Sequence, residues 1–346
     1  MLKILVASHD AGGANILNAL VKKYSTDFDW KVYAKDPAAK IFKKAKNINY
    51  TKETFDIERV LSLEKPDLIL TGTGWLSDFE INFLKAGKAQ NIKSSSFLDH
   101  WCNYRERFGY PGNWREALPD FIFVGDKWAY DIALRNGFPK NRLRQVENPY
   151  FEEILKEKDE ILRCKKKVVK NRESKIRILF LSEPIYDHAL KHYGDPYYWG
   201  YTEYEIVRDL GRIAESKTNI EIKIRLHPAE KKDKYSAIID KKLSIITVAC
   251  SNSLVKDCMW SDIVVGFGTA GLVIAWIIGK KAISYIPSVK ISCFLPQKEI
   301  RRIRSFNELK HEIEAFRKCG RIKSKKDPIV FNKSFLNLFK SRNICL

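Results

Sequence analysis

Short runs of apolar residues alternate along the first half of the chain with segments whose apolar residues recur every three or four positions. The runs have the length of buried strands, and the spacing within the segments predicts helices. Predicted strands are LKILVA (2–7), WKVYAK (30–35), PDLILTGTG (66–74), IKSSSFLDH (92–100) and DFIFVGD (120–126). Predicted helices cover 14–23, 37–45, 55–65, 78–90 and 127–137. This alternation predicts a parallel sheet with helices on both faces.

A highly charged segment interrupts the pattern, which then starts again. The second set of strands is KIRILFLS (175–182), IEIKIRLHP (220–228), LSIITVA (243–249), DIVVGFG (262–268) and KAISYIP (281–287), with helices over 202–216, 252–260, 270–279 and 306–318. A chain of 346 residues also exceeds the size of one ordinary core. We therefore predict an α/β protein with two Rossmann-like domains facing a cleft. The predicted parts are a first domain at 1–151, a charged helix and linker at 152–174, a second domain at 175–320 and a basic tail at 321–346.

The chain carries a large basic excess. Its 62 Lys and Arg residues outnumber 42 Asp and Glu residues, which gives a formal net charge of +20. Such an excess favours a polyanionic neighbour, which can be nucleic acid, an anionic membrane face or a phosphorylated substrate; a solvated basic surface has the same composition. No nucleic-acid-binding module is recognisable, so nucleic acid is not a predicted partner. The lysines of 38–47 and of the tail are candidates for contact with anionic headgroups.

Other patterns argue against several classes of protein. The N-terminal apolar run is too short for a signal peptide, and the longest apolar stretch, 272–279, is far below the ~20 residues of a membrane span. The seven cysteines include no CxxC pair, and only His188 and His192 lie four positions apart. These patterns predict a cytoplasmic protein with reduced thiols, no metal site and no bound cofactor.

A polar cluster follows the first predicted strand. His9 and Asp10 stand directly behind LKILVA, and Gly12 and Gly13 come next. The glycines permit a tight turn and a close approach of a ligand, and the following helix offers free N–H groups. Either the carboxylate of Asp10 or the imidazole of His9 could act as a general base. The alternative is that Asp10 only caps the turn and that His9 is a core residue.

Two more clusters follow later strands of the first half, at the edge where ligands of parallel sheets bind. Thr73 lies in TGTGW, whose small residues leave room for a ligand or simply form a turn. The loop FLDHWCNYRERFGYPGNW alternates aromatic and charged residues, which suits stacking on sugar rings and arginine contacts with an anion. A buried aromatic corner is the alternative. Candidate ligand-binding residues here are Asp99, His100, Trp101 and Arg105.

The second half has two clusters suited to phosphate. In RLHPAE, Pro228 stops the strand and His227 can donate to a phosphate. In GFGTAG, the backbone N–H groups and the Thr269 hydroxyl form a potential phosphate site between a strand and a helix. No full GxGxxG or GxxxxGK[ST] motif is present. The residues assigned to this site are Ser182, Glu183, Arg225, His227, Pro228, Gly268, Thr269, Ala270 and Gly271.

These motifs resemble those of a known fold family. RLHP, followed further along by SDIVVGFGTAGLVIAWIIGKKAISYIP, looks like the nucleotide-binding half of GT-B glycosyltransferases. The sequence is most similar to the HP-motif families, such as bacterial sialyltransferases, Kdo transferases and CDP-glycerol glycerophosphotransferases. In those families the HP histidine and a downstream Ser or Thr hold the donor phosphate, which implies these roles for His227 and Thr269. Inverting GT-B enzymes often place their base after the first strand, which matches Asp10 or His9.

The resemblance implies an inverting, metal-independent glycosyltransferase. Its second domain would bind a CMP- or UDP-linked sugar, and its first domain would bind a glycan or lipid-linked acceptor of a capsule, polysaccharide or lipopolysaccharide. The implied location is the cytoplasm, with peripheral contact to the inner face of the membrane. A glycerophosphotransferase and a nonhydrolysing sugar-nucleotide epimerase, which needs no acceptor, are alternatives on the same fold. A nucleic-acid-binding protein and an inactive scaffold are alternatives from other classes.

Overall fold

A computed structural model describes residues 1–44, 50–52, 56–74, 77–165, 175–216, 219–239, 245–319 and 334–340 of the chain. The chain forms two compact units. The first contains Met1–Glu153 together with Val330–Leu346, and the second contains Ile154–Ile329. Each unit is built on a parallel β-sheet, as the alternation of strands and helices predicts.

The first unit contains a seven-stranded parallel sheet in the order β3-β2-β1-β4-β5-β6-β7. Its strands are β1 (Lys3–Ser8), β2 (Asp29–Ala34), β3 (Tyr50–Thr51), β4 (Leu68–Thr71), β5 (Lys93–Leu98), β6 (Phe121–Val124) and β7 (Leu143–Gln145). The central strand β1 pairs with β2 on one side and with β4 on the other. Its residues Ile4–Ala7 are fully buried, because helices cover both faces of a parallel sheet.

The helices of the first unit begin at the carboxyl edge of this sheet. They are α1 (Ala11–Lys23), α2 (Ala38–Lys43), α3 (Ile57–Glu64), α4 (Phe79–Ala89), α5 (Lys127–Arg135) and the start of α6 (Pro149–Lys165). Asp10, Asp56 and Asp126 cap α1, α3 and α5 by accepting hydrogen bonds from free backbone N–H groups of the first turn. Aspartates that follow strands therefore start helices here, whether or not they also take part in chemistry.

The second unit contains a six-stranded parallel sheet in the order β10-β9-β8-β11-β12-β13. Its strands are β8 (Ile176–Leu181), β9 (Ile220–Arg225), β10 (Ile246–Val248), β11 (Ile263–Gly266), β12 (Lys281–Tyr285) and β13 (Arg301–Ile303). Its helices, after the end of α6, are α7 (Ile185–Tyr193), α8 (Glu203–Glu215), α9 (Leu254–Trp260), α10 (Ala270–Ile277) and α11 (Phe306–Cys319). The core contains Ile178, Phe180, Ile224 and Val265, which project from neighbouring strands and are fully buried.

The predicted basic tail contains a helix that belongs to the first unit. Helix α12 (Phe335–Lys340) packs against the first unit, where Phe335 and Leu338 join the core. The backbone N–H of Phe335 donates to Glu147 Oε1 at 3.0 Å. Aromatic residues in the basic segment thus bury apolar surface. The charged helix of the predicted linker is present as α6, and residues 166–174 lie outside the described residues.

Candidate functional site

Both sheets reverse their strand order beside the first strand of the unit. The reversal falls between β1 and β4 in the first unit and between β8 and β11 in the second. Ligands of open parallel sheets bind beyond the carboxyl ends of the strands at such a switch point. Asp10 and Thr73 follow β1 and β4, and Glu183 and Gly268 follow β8 and β11. The predicted residues therefore mark the switch point of each sheet.

The carboxylates of Asp10 and Asp99 are neighbours at the switch point of the first unit. Asp10 Oδ1 accepts a hydrogen bond from the backbone N–H of Ala11 at 2.7 Å. Asp99 follows β5, and its Oδ2 fills the space beside Gly12 in the first turn of α1. Burial, followed by the charge of Asp99, raises the pKa of Asp10. Two carboxyl groups with different partners suit proton transfer, because their different environments can give them different roles as acid and base.

A buried arginine holds Asp99 in place. Arg107 Nη1 donates to Asp99 Oδ1 at 2.6 Å and to the backbone carbonyl of Thr73 at 2.9 Å. The Thr73 hydroxyl donates to the same Asp99 Oδ1 at 2.9 Å. Although burial disfavours its charge, the carboxylate of Asp99 raises the pKa of Arg107. One oxygen of Asp99 is thus committed to Arg107 and Thr73, and the other lies beside α1.

His9 is held by a glutamate of helix α4. The backbone N–H of His9 donates to Glu80 Oε1 at 2.7 Å, and His9 Nδ1 lies 3.0 Å from Glu80 Oε2. Burial opposes the charged ring, but the hydrogen bond and charge of Glu80 more than compensate and raise the pKa of His9. A carboxylate on Nδ1 fixes the orientation of the ring. His9 is therefore oriented by the protein, unlike a core histidine without a polar partner.

The glycines of this edge are packed against the protein's own atoms. Gly12 and Gly13 lie in the first turn of α1, so they do not form the turn that the sequence predicts. A Cβ on Gly12 would overlap the Asp99 carboxylate, and one on Gly13 would lie 3.0 Å from the Cα of Gly72. Asp99 and the loop after β4 thus make the close approach that these glycines permit, and the approach of an acceptor stays a prediction.

The aromatic loop after β5 is more deeply buried than the predicted sugar-stacking site would be. Tyr104, Phe108 and Trp114 are buried, so the alternative of a buried aromatic corner describes the loop better than sugar stacking does. Arg105 Nε donates to the backbone carbonyl of Asn136 at 2.7 Å, which commits this side chain to the fold. Trp101 is 6% exposed, and its Nε1 donates to Asp126 Oδ2 at 3.0 Å. The aromatic rings of this loop mainly stabilise the first unit.

A small pocket opens beside Asp99. It is lined by Phe97, Leu98, Asp99, His100, Trp101, Gly125, Asp126, Ala129, Asn148 and Phe151. Burial, followed by the charge of Arg107, lowers the pKa of His100 to about 4, so its ring is neutral at pH 7. His100 and Trp101 thus line a pocket at the carboxyl edge of the sheet, where the sequence predicts ligand binding.

The glycine segment of the second unit forms the start of helix α10. Thr269 caps the helix, and its Oγ1 accepts a hydrogen bond from the backbone N–H of Gly271 at 3.2 Å. The carboxylate of Glu183 accepts from the backbone N–H of Gly268 at 3.3 Å. Burial raises the pKa of Glu183 to about 7, although backbone N–H groups of Gly268 and Phe267 donate to it. The turn therefore binds a carboxyl group of the protein itself through backbone N–H groups, the kind of donor that a phosphate site also uses.

His227 lies in the turn after β9 with a defined tautomer. The backbone N–H of Ala229 donates to His227 Nδ1 at 3.2 Å, so Nδ1 carries no proton and Nε2 does. Burial lowers the pKa of His227, which favours the neutral ring. The ring can therefore donate one hydrogen bond through Nε2, as the sequence predicts for a phosphate ligand.

Other predicted residues of the second unit have structural contacts. Ser182 is buried, and its hydroxyl lies 2.7 Å from Glu230 Oε1. Arg225 Nη1 pairs with the buried carboxylate of Asp257 at 2.5 Å and donates to the carbonyl of Ser251 at 3.0 Å. Pro228 is exposed in the turn. Ser182 Oγ and Arg225 Nη1 are thus bound within the unit, and direct contact of these residues with a ligand stays a prediction.

Sequence reasoning did not select several residues that organise these sites. They are Glu80, Arg107, Glu203, Glu230, Lys234 and Phe294. Arg107 stands in the charged aromatic loop and Glu230 in RLHPAE, so the motifs contained a signal for both. A Cβ on Gly268 would lie 2.5 Å from the ring of Phe294, which reaches the glycine turn from a distant segment. Among the described residues, no group of three His, Cys, Asp or Glu side chains could hold a metal ion.

Several solved structures share the fold of this chain. UDP-GlcNAc 2-epimerase from Methanocaldococcus jannaschii, solved with UDP-GlcNAc and UDP, has a TM-score of 0.69 and 14% identity over 99% of each chain. UDP-GlcNAc 2-epimerase from Neisseria meningitidis, bound to UDP-GlcNAc, has a TM-score of 0.60 and 13% identity over 92% of each chain. The Anabaena protein Alr3699/HepE in complex with UDP-glucose has a TM-score of 0.61 and 12% identity over 91% of this chain and 90% of that chain.

These similarities establish the fold. No protein-family model matches the chain, and no curated protein sequence is significantly similar to it. The predicted fold class, two Rossmann-like domains of the GT-B type, is confirmed. The closer resemblance to HP-motif sialyltransferases and related families gains no support from a sequence match. None of the described helices is long and apolar enough to cross a membrane.

Proposed function

We propose that this protein is a sugar-nucleotide epimerase that acts on a UDP-linked sugar without an acceptor and without a bound cofactor. The observation that carries the proposal is the Asp10 and Asp99 pair. Inverting a stereocentre requires one group to remove a proton and another to return a proton on the opposite face, so the proposal requires the sugar to bind between Asp10 and Asp99. A glycosyltransferase needs only one base for its acceptor. The fold shared with two UDP-GlcNAc 2-epimerases supports the same choice.

The chemistry at C2 of a UDP-linked sugar also requires a leaving group. The C2–H bond has no neighbouring carbonyl to acidify it, so its proton leaves most readily as UDP departs from C1. This step forms a C1–C2 double bond. Protonation of C2 on the other face and return of UDP to C1 then give the epimer. Asp10, whose pKa is raised by burial and by Asp99, suits the proton donor, and Asp99, paired with Arg107, suits the base.

The second unit would hold the departing diphosphate. His227 offers a neutral Nε2 donor and Thr269 its hydroxyl, and the diphosphate would replace Glu183 as the acceptor of the Gly268 N–H before α10. Such donors stabilise negative charge as it develops on a leaving phosphate. In this proposal, proton transfer belongs to the first unit and binding of the nucleotide diphosphate to the second. We choose uridine over cytidine because the similar structures contain UDP, UDP-GlcNAc or UDP-glucose.

An inverting glycosyltransferase is the second candidate function. The RLHP turn favours it, because this motif resembles the donor site of the HP-motif families. In that case Asp10 or His9 would deprotonate an acceptor hydroxyl, and a glycan or lipid-linked acceptor would be required. Contact with an anionic membrane surface belongs to this candidate. The exposed lysines of α2 support it, whereas 45–47 and most of the basic tail lie outside the described residues.

Product analysis without an acceptor separates the two candidates. The purified protein is incubated with UDP-GlcNAc alone, and proton NMR follows the sugar for the appearance of the C2 epimer. We expect conversion to an equilibrium mixture of the two UDP-sugars. The inactive control is Asp10→Asn, and the exposed-surface control is Glu299→Gln.

The opposite result would support the transferase. In that outcome UDP-GlcNAc stays unchanged alone and releases UDP only when a glycan or lipid-linked acceptor is added. The same experiment with UDP-glucose tests whether the enzyme requires the acetamido group. Lack of reaction with both UDP-sugars under either condition would contradict the assignment of a uridine nucleotide.

A further inference from the structure

A buried ion network lies behind the RLHP turn of the second unit. Lys234 forms ion pairs with Glu203 and with Glu230, whose Oε1 lies 2.7 Å from Lys234 Nζ. The side chains of Glu203 and Glu230 are completely buried, and that of Lys234 is 4% exposed. Burying three charged groups is costly unless each is paired and hydrogen-bonded. Apolar residues would fill this part of the core at lower cost. The presence of the ion network beside His227 therefore suggests that it has a role in the site.

The network connects three loops at the carboxyl edge of the sheet. Glu230 Oε1 also accepts from the hydroxyl of Ser182, which follows β8 and lies 2.5 Å from the hydroxyl of Tyr235. Glu203 Oε2 accepts from the backbone N–H of Tyr186, at the start of α7. The turn that holds His227 is therefore connected to the end of the neighbouring strand β8 and to the starts of α7 and α8.

Within the turn, every polar group of His227 except Nε2 is bound. Its backbone N–H donates to Glu230 Oε2 at 2.7 Å, and its carbonyl accepts from the backbone N–H of Glu230 at 2.9 Å. Its Nδ1 accepts from the backbone N–H of Ala229. Among the described residues no hydrogen bond uses Nε2. Glu230 thus binds both the backbone N–H and the backbone carbonyl of His227. The Nε2 of the ring remains available to a ligand.

We propose that Glu230, anchored by Lys234, is a positioning residue that fixes His227 with its Nε2–H directed at the diphosphate of the substrate. This inference rests on the proposed function for its ligand, and it adds a specific role for residues that do not touch that ligand. Glu230 acts on the backbone of His227 and thereby holds the turn in which the N–H of Ala229 fixes the tautomer of the ring. Ser182 contributes by holding the same carboxylate, which explains why its hydroxyl is turned into the unit.

The test is a double-mutant cycle on UDP binding, measured by calorimetry on the full chain. His227→Ala should weaken binding about 10- to 100-fold, the value of a hydrogen bond to a charged group. Glu230→Ala should cause about a 10-fold loss, and adding it to His227→Ala should cause no further loss. The control is Glu221→Gln, on the same strand β9 but at its other end, with less than a 2-fold effect expected.

A multiplicative loss in the double variant would overturn the positioning role, because it would show that Glu230 acts independently of His227. Glu230→Gln covers the case in which the alanine variant does not fold. Its side chain keeps only one acceptor oxygen, so it must release either the His227 N–H or Lys234 and Ser182. We expect it to lose binding in the same non-additive way.

Imidazole nitrogen NMR of the ligand-free protein tests the positioning role without UDP. With ¹⁵N-labelled histidine, and with His227→Ala to assign its signals, the wild-type ring should show a protonated Nε2 and an unprotonated Nδ1. Glu230→Gln should give a mixture of tautomers, and Glu221→Gln should not. An unchanged tautomer in Glu230→Gln would overturn the inference. Failure of wild-type UDP binding with the expected tautomer change would instead count against the proposed function alone.

Discussion

The two units have the same sheet topology but different chemistry at their switch points. At the first, Asp10 caps α1, whereas Asp99 forms a buried ion pair with Arg107. At the second, Glu203 and Glu230 share Lys234, Glu183 accepts from the backbone N–H of Gly268, and the ring of His227 has one nitrogen that bonds no other described residue. In the proposed function the first edge exchanges protons and the second donates hydrogen bonds to an anion. The comparison teaches that one sheet architecture can carry two different sets of polar side chains at its carboxyl edge.

Replacing Asp10 should cause the largest loss of activity and should leave the binding of UDP by the second unit unchanged. Asp10→Asn keeps an oxygen that can cap α1 but removes the transferable proton. We expect kcat to fall by about 10²- to 10⁴-fold, the usual contribution of an acid or base. The Kd for UDP, measured by calorimetry, should stay within a factor of two. A parallel loss of UDP affinity would contradict the division of roles between the units.

Replacing Arg107 tests how much the buried ion pair with Asp99 contributes to the stability of the first unit. Arg107→Met leaves the carboxylate of Asp99 buried without its cation, which should cost about 3–5 kcal/mol in the free energy of unfolding. Urea denaturation followed by circular dichroism measures this loss. Lys93→Met removes a more exposed partner of Asp120 on the same unit and should cost less than about 1 kcal/mol. Similar costs for both variants would show that burial of the Arg107 pair has no special role.

Gly12 tests the placement of Asp99 independently of its charge. In Gly12→Ala the new Cβ meets the Asp99 carboxylate, which Arg107 and Thr73 hold from the other side. A displacement near 1 Å in a catalytic group can cost about 10²-fold, so we expect kcat to fall about 10- to 100-fold. Gly194→Ala, where a Cβ meets no atom within 4 Å but φ is 71°, controls for backbone strain in the second unit. A fully active Gly12→Ala would contradict a fixed Asp99.

Glu183 should give the smallest effect, visible as a pH dependence of stability. Its pKa is 4.5 in the unfolded chain and about 7 when folded, mainly because of burial. Between these values the unfolded chain loses the proton that the folded protein keeps, so wild-type stability falls as pH rises and levels off above pH 7. In Glu183→Gln the decrease in the free energy of unfolding between pH 5 and pH 7 should be smaller than in wild type by about 1–2 kcal/mol.

Urea denaturation at pH 5, 6, 7 and 8 measures the difference between wild type and Glu183→Gln. The difference should grow in favour of the variant up to about pH 7 and then stay constant. Glu299→Gln, at an exposed position, should show no such trend. A difference that is independent of pH would mean that Glu183 ionises normally in the folded protein.

Local sequence patterns identified the fold and the strand-end residues but not their partners. Apolar runs place strands, and parallel strands bring their carboxyl ends to one edge, so Asp10, Thr73, Asp99 and His227 could be assigned to edges from the sequence. The contact between Glu80 and His9 joins positions that are 71 apart, and that between Lys234 and Glu203 joins positions 31 apart. Such pairs depend on how helices pack across the sheet, which no local pattern encodes.

The glycines show the same limit in a different way. A glycine beside a strand end signals a close approach, but the approaching atom can belong to a ligand or to the protein. At Gly12 it is Asp99, and at Gly268 it is the ring of Phe294. The aromatic loop was ambiguous for the same reason, because large rings suit a sugar site and a core equally well.

Solvent deuterium incorporation tests the central claim that the carboxylates of the first unit exchange a carbon-bound proton of the substrate. UDP-GlcNAc is incubated with the protein in D₂O, and NMR and mass spectrometry measure deuterium at C2 of the sugar. We expect one deuterium at C2 in the epimer, none in a reaction with Asp10→Asn, and unchanged UDP affinity in that variant. Turnover of UDP-GlcNAc without deuterium at C2 would contradict the account.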